Sequence, residues 1–176
     1  MWFSGARGAA RFDGKNISAY QNDADNPFSL PEGYISDILL TKNNRLWFAT
    51  PRGLYEFEFE RERFVRHPLL LDGQDIAEHI WALTEDSQGL IWMGTLKRGV
   101  ATYDPSSKRY EEPPGFSGAN NTDTGSINAI LAGSNNRLWW GGDFGLYSYD
   151  FESKHYKHYN PEEGSCLLYT SPSPRD

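Results

Sequence analysis

Three arginines stand immediately before a glycine at matching places in the chain: Arg7 before Gly8, Arg52 before Gly53 and Arg98 before Gly99. Lys97 lies beside Arg98, and Asp143-Phe144 fills the corresponding place before Gly145. Guanidinium groups brought to one rim by short turns would suit a carboxylate or sulfate ligand, which they meet through two parallel hydrogen bonds. The plainer reading of the same residues is that they are solvated loop side chains. Trp81 and Trp140 offer a second chemistry. They stand where other copies of the same pattern carry Ser36 or Asn128, and Phe48 or Met93, and an exposed indole can stack on a sugar ring. Burial between neighbouring elements is the plainer expectation for both.

Other chemistries find little support. His67, His79, His155 and His158 have no metal-ligand spacing, and His155 and His158, an odd number apart on a strand, would point to opposite faces. Asp23 and Asp25 resemble the start of a calcium loop, but its glycine and closing glutamate are missing. Nothing resembles a nucleophile elbow, a phosphate-binding loop or a cysteine-ligated zinc site. No catalytic residue, metal or cofactor is therefore expected. Asn16-Ile17-Ser18 and Asn120-Asn121-Thr122 spell glycosylation sequons, which chance explains.

The elements that must position these residues are written four times. Asn43-Asn44-Arg45-Leu46-Trp47-Phe48-Ala49-Thr50, followed by Gly53-Leu54-Tyr55-Glu56-Phe57, recurs around Trp92 and Trp139, and the chain opens inside another copy at Trp2. Trp2, Trp47, Trp92 and Trp139 are spaced by 45, 45 and 47 residues, a period that announces a repeat architecture. Within a copy, the apolar run Ile35–Thr41, a polar turn and Leu46–Thr50 read as a hairpin. Asn44, Gly89 and Asn136, three residues before each tryptophan, are types that tolerate a left-handed backbone. Gly8, Gly53, Gly99 and Gly145 open a third strand, and a more polar fourth follows at Arg63–His67, Lys108–Tyr110 and Lys154–Tyr159.

Four antiparallel strands in about 45 residues match the blade of a β-propeller. The expected fold is all-β: a partial propeller of about three complete blades plus an incomplete N-terminal one. It would fill residues 1–160, with blades near 1–25, 35–68, 80–112 and 127–160. The connections Tyr20–Tyr34, Pro68–His79 and Glu111–Ser126 read as surface loops. Inner strands such as Ile80-Trp81-Ala82-Leu83 are nearly continuously apolar, as expected when both faces pack against neighbouring blades. Each repeat tryptophan is thus first a packing residue.

Composition excludes some partners. The net charge of -7 argues against a phosphate-backbone binder, so nucleic acid is not expected. No apolar run approaches the roughly 18 residues of a membrane span. Residues 161–176 read as a truncated loop followed by a tail, Cys166 to Asp176, that resembles translated sequencing-library adapter. Without that tail the chain has no cysteine and no disulfide framework. Met1 takes the place of Leu46, Ile91 and Leu138, so the chain is expected to open in mid-repeat, and the lack of a signal peptide carries no information.

Ile91-Trp92-Met93-Gly94-Thr95 and Gly145-Leu146-Tyr147-Ser148-Tyr149-Asp150 make the chain resemble the two-component regulator propeller repeat family over residues 1 to about 160. The first copy departs with Ala9-Ala10, and Leu96-Lys97-Arg98 adds one residue to a loop. The resemblance implies a periplasmic, non-catalytic sensor segment that binds an oligosaccharide or other small ligand at the channel mouth. It also implies further blades in a parent protein whose output passes through propeller or dimer contacts to a kinase elsewhere. In such a fold the loops carrying Arg7, Arg52, Lys97, Arg98, Asp143 and Phe144 lie on the mouth face. A propeller-scaffold lyase or hydrolase and a general protein-interaction propeller are the alternatives, since propellers host all three activities.

Overall fold

The computed structural model describes residues 1–113, 125–133, 135–143 and 145–159. Four antiparallel sheets follow one another in chain order, and among the described residues there is no helix. The first sheet holds β1 (Trp2–Gly5), β2 (Gly8–Phe12) and β3 (Ile17–Tyr20). The second holds β4 (Asp37–Leu40), β5 (Leu46–Thr50), β6 (Gly53–Glu58) and β7 (Arg63–His67). After a hairpin, β8 (Leu69–Leu71) with β9 (Gln74–Ile76), the third sheet holds β10 (Ile80–Glu85), β11 (Ile91–Thr95), β12 (Val100–Asp104) and β13 (Arg109–Glu111). The fourth comprises β14 (Ile127–Ala132), β15 (Arg137–Gly142), β16 (Gly145–Asp150) and β17 (His155–Tyr159). Three four-stranded blades and an incomplete first one make this the expected partial propeller.

Local chemistry explains the blade. Asn44, Gly89 and Asn136 adopt φ of 60°, 86° and 57°, the left-handed geometry the first hairpin requires. In the second sheet Thr41 Oγ1 donates to Arg45 O (2.9 Å) and accepts from Arg45 N (3.1 Å), bridging the turn. At the opposite end of the blade Gly53 turns the chain with φ 111°. That residue also receives the Thr50 hydroxyl on its carbonyl, at 2.8 Å.

The cores lie between sheets. Phe48, Phe57 and Phe64 pack back against Trp2 and Tyr20 of the first sheet. Trp47 leaves the other face of the same strand and packs into the third sheet with Met93, Ala101 and Tyr103. Trp92 does the same toward the fourth sheet, among Ile127, Leu138 and Trp140. Period-2 alternation thus sends each repeat tryptophan forward and the residue after it backward. Trp47 and Trp92 are 0% and 5% exposed, whereas Trp2 and Trp139 at the two ends are half-buried.

Two connections are more structured than surface loops. Pro68–His79 contains the β8–β9 hairpin, whose Leu69 is fully buried and whose first strand packs against β13. Arg66 clamps it by a bidentate pair with Asp75. In the connection before the second sheet, Leu30 is buried and the Phe28 carbonyl accepts from Phe64 N at 2.9 Å, covering the outer edge of β7. Residues 161–176, Phe144 and the Asn120 sequon lie outside the described residues.

Candidate functional site: the loop face at the second and third sheets

In two repeats the residue before the turn glycine is set by the same threonine device. Arg52 N donates to Thr50 Oγ1 (3.1 Å), and Arg98 N donates to Thr95 Oγ1 (2.9 Å), whose hydroxyl in turn donates to Gly99 O at 2.9 Å. Arg52 and Arg98 therefore hold equivalent places although the third repeat has one residue more. The surplus swings Leu96-Lys97 onto the incoming connection, where Leu96 N donates to His79 O (3.0 Å) and Lys97 N to Glu78 Oε1 (3.1 Å).

This junction assembles an aromatic platform. His79 stacks on Trp81 with ring centres 4.2 Å apart, and Tyr34, arriving from the connection before the second sheet, lies 5.9 Å from the Trp81 ring. The Tyr34 hydroxyl meets His79 Nε2 at 3.2 Å. Burial pushes His79 below its ordinary pKa, which favours the uncharged ring. All three rings are half-exposed, and Trp81 Nε1 is enclosed without a hydrogen-bond partner.

Beside the platform, Arg98 is held by two carboxylates. Its Nη1 donates to Glu112 Oε1 (2.9 Å), and its Nε stands 3.4 Å from Glu78 Oε2. Glu78 is buried, and burial raises its pKa above the usual carboxylate range against the opposing pull of Lys97 N and Arg98. The Tyr110 hydroxyl donates to Glu112 Oε1 at 3.0 Å, and burial, reinforced by Glu112, pushes that phenol far up. The Arg98 charge is consequently neutralised within the protein.

Of the other residues singled out from the sequence, Arg7, Arg52 and Lys97 are exposed on turns of three successive repeats. Asp143 is exposed, but its carboxylate accepts from Ser126 N at 3.0 Å and caps the entry to β14. Trp140 is only 4% exposed, stacked on Tyr147 at 5.7 Å, and faces the third sheet rather than a channel mouth. The structure brings together Trp81, Lys97 and Arg98, leaves Arg7, Arg52 and Asp143 on their own turns, and adds Tyr34, Glu78, His79 and Glu112. One sign of the platform was readable: His79 and Trp81 are two apart, so their side chains share a face where the chain is extended.

A second polar cluster looks like a catalytic relay, but its histidine and tyrosine are buried while its Arg45–Glu56 end reaches the surface. His67 Nδ1 meets the Tyr103 hydroxyl at 2.8 Å, and its Nε2 donates to Glu56 Oε2 at 3.0 Å. Arg45 donates to the same carboxylate through Nε (2.6 Å) and Nη2 (2.7 Å). Burial alone would raise Glu56, but the bonds from Arg45 and His67 outweigh it and hold the carboxyl at about 2. Tyr103, pushed up to about 12 by burial, is fully buried, and His67 is 7% exposed, so this chain of groups ties sheets together. Among the described residues no group of three His, Cys, Asp or Glu side chains is arranged to hold a metal.

Residues 29–52 and 75–97 match the family described as the two component regulator propeller. Both stretches are two-component regulator propeller repeats. The first contains Tyr34 and Arg52 and the second His79, Trp81 and Lys97, so the platform lies where two such repeats meet. Among solved structures, the chain is similar to the extracellular domain of a one-component system from B. thetaiotaomicron. They share 22% identity and a TM-score of 0.72, over 89% of this chain and 20% of that one. The extracellular domain of a hybrid two-component system from the same organism matches at 19% identity and TM-score 0.70, over 89% and 21%. The WD40 repeats of RRP9 match at 11% and 0.54, over 89% and 43%. At these identities the likeness is one of fold. The chain spans about a fifth of the length of the first two structures, and no curated protein matches it.

Proposed function

We propose that this chain is the ligand-binding propeller segment of a sensor displayed outside the cytoplasm, and that it performs no catalysis itself. The observation that carries this reading is the Tyr34–His79–Trp81 platform. It is a half-open aromatic surface on the loop face, backed by an indole N–H with no protein partner. The matching repeat family and the extracellular domains that share the fold support the sensing role and the location.

The ligand is an oligosaccharide. Flat sugar faces suit aromatic rings, and with Arg98 held by Glu112 and Glu78 the exposed Lys97 and Arg52 would serve any acidic substituent. Binding would be transmitted through the junction of the second and third sheets, because Tyr34 belongs to one side and Trp81 to the other.

Calorimetric titration of the protein with neutral and acidic oligosaccharides tests this. At least one should bind, and Trp81→Ala should weaken it about tenfold, the scale of one lost aromatic contact. Binding that survives Trp81→Ala unchanged, or a panel in which nothing binds, would refute the proposal.

A further inference from the structure

A further cleft lies at the opposite end of the sheets, at the hairpin turns. It measures about 620 Å3 and lies between the first turns of the third and fourth sheets. That volume is in the range of small-molecule sites. None of the platform residues lines it.

Its origin is visible in the repeat. At the junction of the second and third sheets, Lys42 spans the gap between turns: its amide donates to Glu85 Oε2 and its ammonium to Asp86 O, both at 2.8 Å. Counting from each tryptophan, Ser87 holds the place of Lys42, while Ala132 and Gly133 hold the places of Glu85 and Asp86. Three short residues take these places, so the bridging lysine and the Glu85 carboxylate have no counterparts, and the gap stays open.

Leu90, Ala132 and Phe151 contribute apolar surface, and Gln88, Asn136 and Arg137 contribute amides and a guanidinium. The acids at the cleft are engaged by the protein. Asp86 accepts Gln88 N and Leu90 N on one oxygen (2.8 and 3.0 Å) and Trp92 Nε1 on the other (2.8 Å), and Glu85 takes Lys42 N. Arg137 bonds Asp150 through Nε (3.0 Å), with its side chain 43% exposed. Arg137 thus brings a guanidinium, and Lys42 an ammonium already bonded to Asp86 O, to a cleft with an apolar floor.

We propose that this cleft is a second binding site, distinct from the platform, for a small carboxylic acid with an apolar body. The carboxylate pairs with Arg137 and the amides of Gln88 and Asn136, and the body lies on Leu90 and Phe151.

The Trp92 indole N–H lines the cleft and serves as a reporter in nitrogen–proton NMR spectra of the whole protein. The probe is 3-phenylpropanoic acid as its carboxylate, compared with the matching neutral amide and primary amine. The acid should shift the Trp92 indole signal saturably and leave that of Trp81 in place, while amide and amine bind about tenfold or more weakly. Arg137→Gln should weaken the acid about tenfold, and Ala132→Leu, which fills the floor, should abolish the shift while the remaining indole signals keep their positions. Equal binding of the amide or the amine overturns the carboxylate assignment. No Trp92 shift with the acid, or an unaltered shift in Arg137→Gln, overturns the site.

Discussion

At the junction of the second and third sheets Trp47 packs beside a closed polar chain, Tyr103–His67–Glu56–Arg45, and the Arg45 guanidinium lies 4.6 Å over its ring. Asp37 reaches across to accept Leu83 N at 2.8 Å, and Lys42 bridges the turns. One repeat further on, Trp92 packs against Phe151 at 5.5 Å, Thr84 Oγ1 accepts Ala132 N at 3.1 Å, and the two sheets approach closely. A Cβ on Gly94 would come within 2.7 Å of Ile127 O. The same scaffold thus makes one junction that is polar and latched and another that is apolar and tight but gapped at its turn. Glu56 becomes Thr102, Arg45 becomes Leu90 and Lys42 becomes Ser87, while the tryptophan is unchanged. The shared residue sets spacing between blades, and the residues around it set what each junction can do.

The largest effect separating the junctions is expected from Arg45→Met. It strands a mostly buried Glu56 carboxylate without its cation and should cost about 2–4 kcal/mol at pH 7 by denaturant titration. Glu56 is held well below its ordinary 4.5, so its contribution is present above that value and is lost as pH falls toward about 2. The gap between wild type and Arg45→Met should accordingly narrow from pH 5 downward. A gap independent of pH would separate Arg45 from the carboxylate.

Gly94→Ala comes next, at about 1–3 kcal/mol, because the added methyl meets the backbone of the next blade. Gly141→Ala, whose nearest contact would be 3.9 Å, should change stability by less than about 0.5 kcal/mol. Similar losses for the two would remove the claim that the third and fourth sheets rely on close approach.

A gain is expected from Thr41→Asp. Trp47 Nε1 is buried without a partner, whereas Asp86, six residues before Trp92, supplies that acceptor in the third repeat. Placing the same acid six residues before Trp47 should stabilise by about 1 kcal/mol, read as a raised midpoint in thermal unfolding. The smallest effect is expected from Ser87→Lys combined with Ala132→Glu, which rebuilds part of the Lys42 bridge at the next junction. Its gain should be no more than about 0.5 kcal/mol, since the pair is exposed, and unchanged or lower stability would show that the bridge depends on its surroundings.

The repeat made the fold readable. Sheet order, the left-handed Asn44 and Asn136, and the glycine-led third strand all follow from aligning copies on tryptophan. The same alignment did not reveal Glu62, Lys108 and Lys154, which adopt φ of 47°, 57° and 56° before each outer strand, because their residue types carry no mark of left-handed backbone. The β8–β9 hairpin did have a mark, the Asp72-Gly73 pair after Leu69-Leu70-Leu71, outweighed by the neighbouring proline and polar residues. In the site, Arg98 could be found as a recurring place in the repeat, and Lys97 and Trp81 as departures from it. Tyr34, Glu78 and Glu112 could not, since they come from or border irregular connections where the repeat supplies no register. Trp140 shows the converse: it departs from the repeat, yet sits at the backward-facing position that packing buries.

The separation of scaffold from function is tested most directly by hydrogen–deuterium exchange on the protein with and without the oligosaccharide that binds it. Added protection is expected at residues 34–36, 79–82 and 96–98, with the turns at 41–45 and 86–90 unchanged. Protection spread evenly over the tryptophan strands, or confined to those turns, would contradict it.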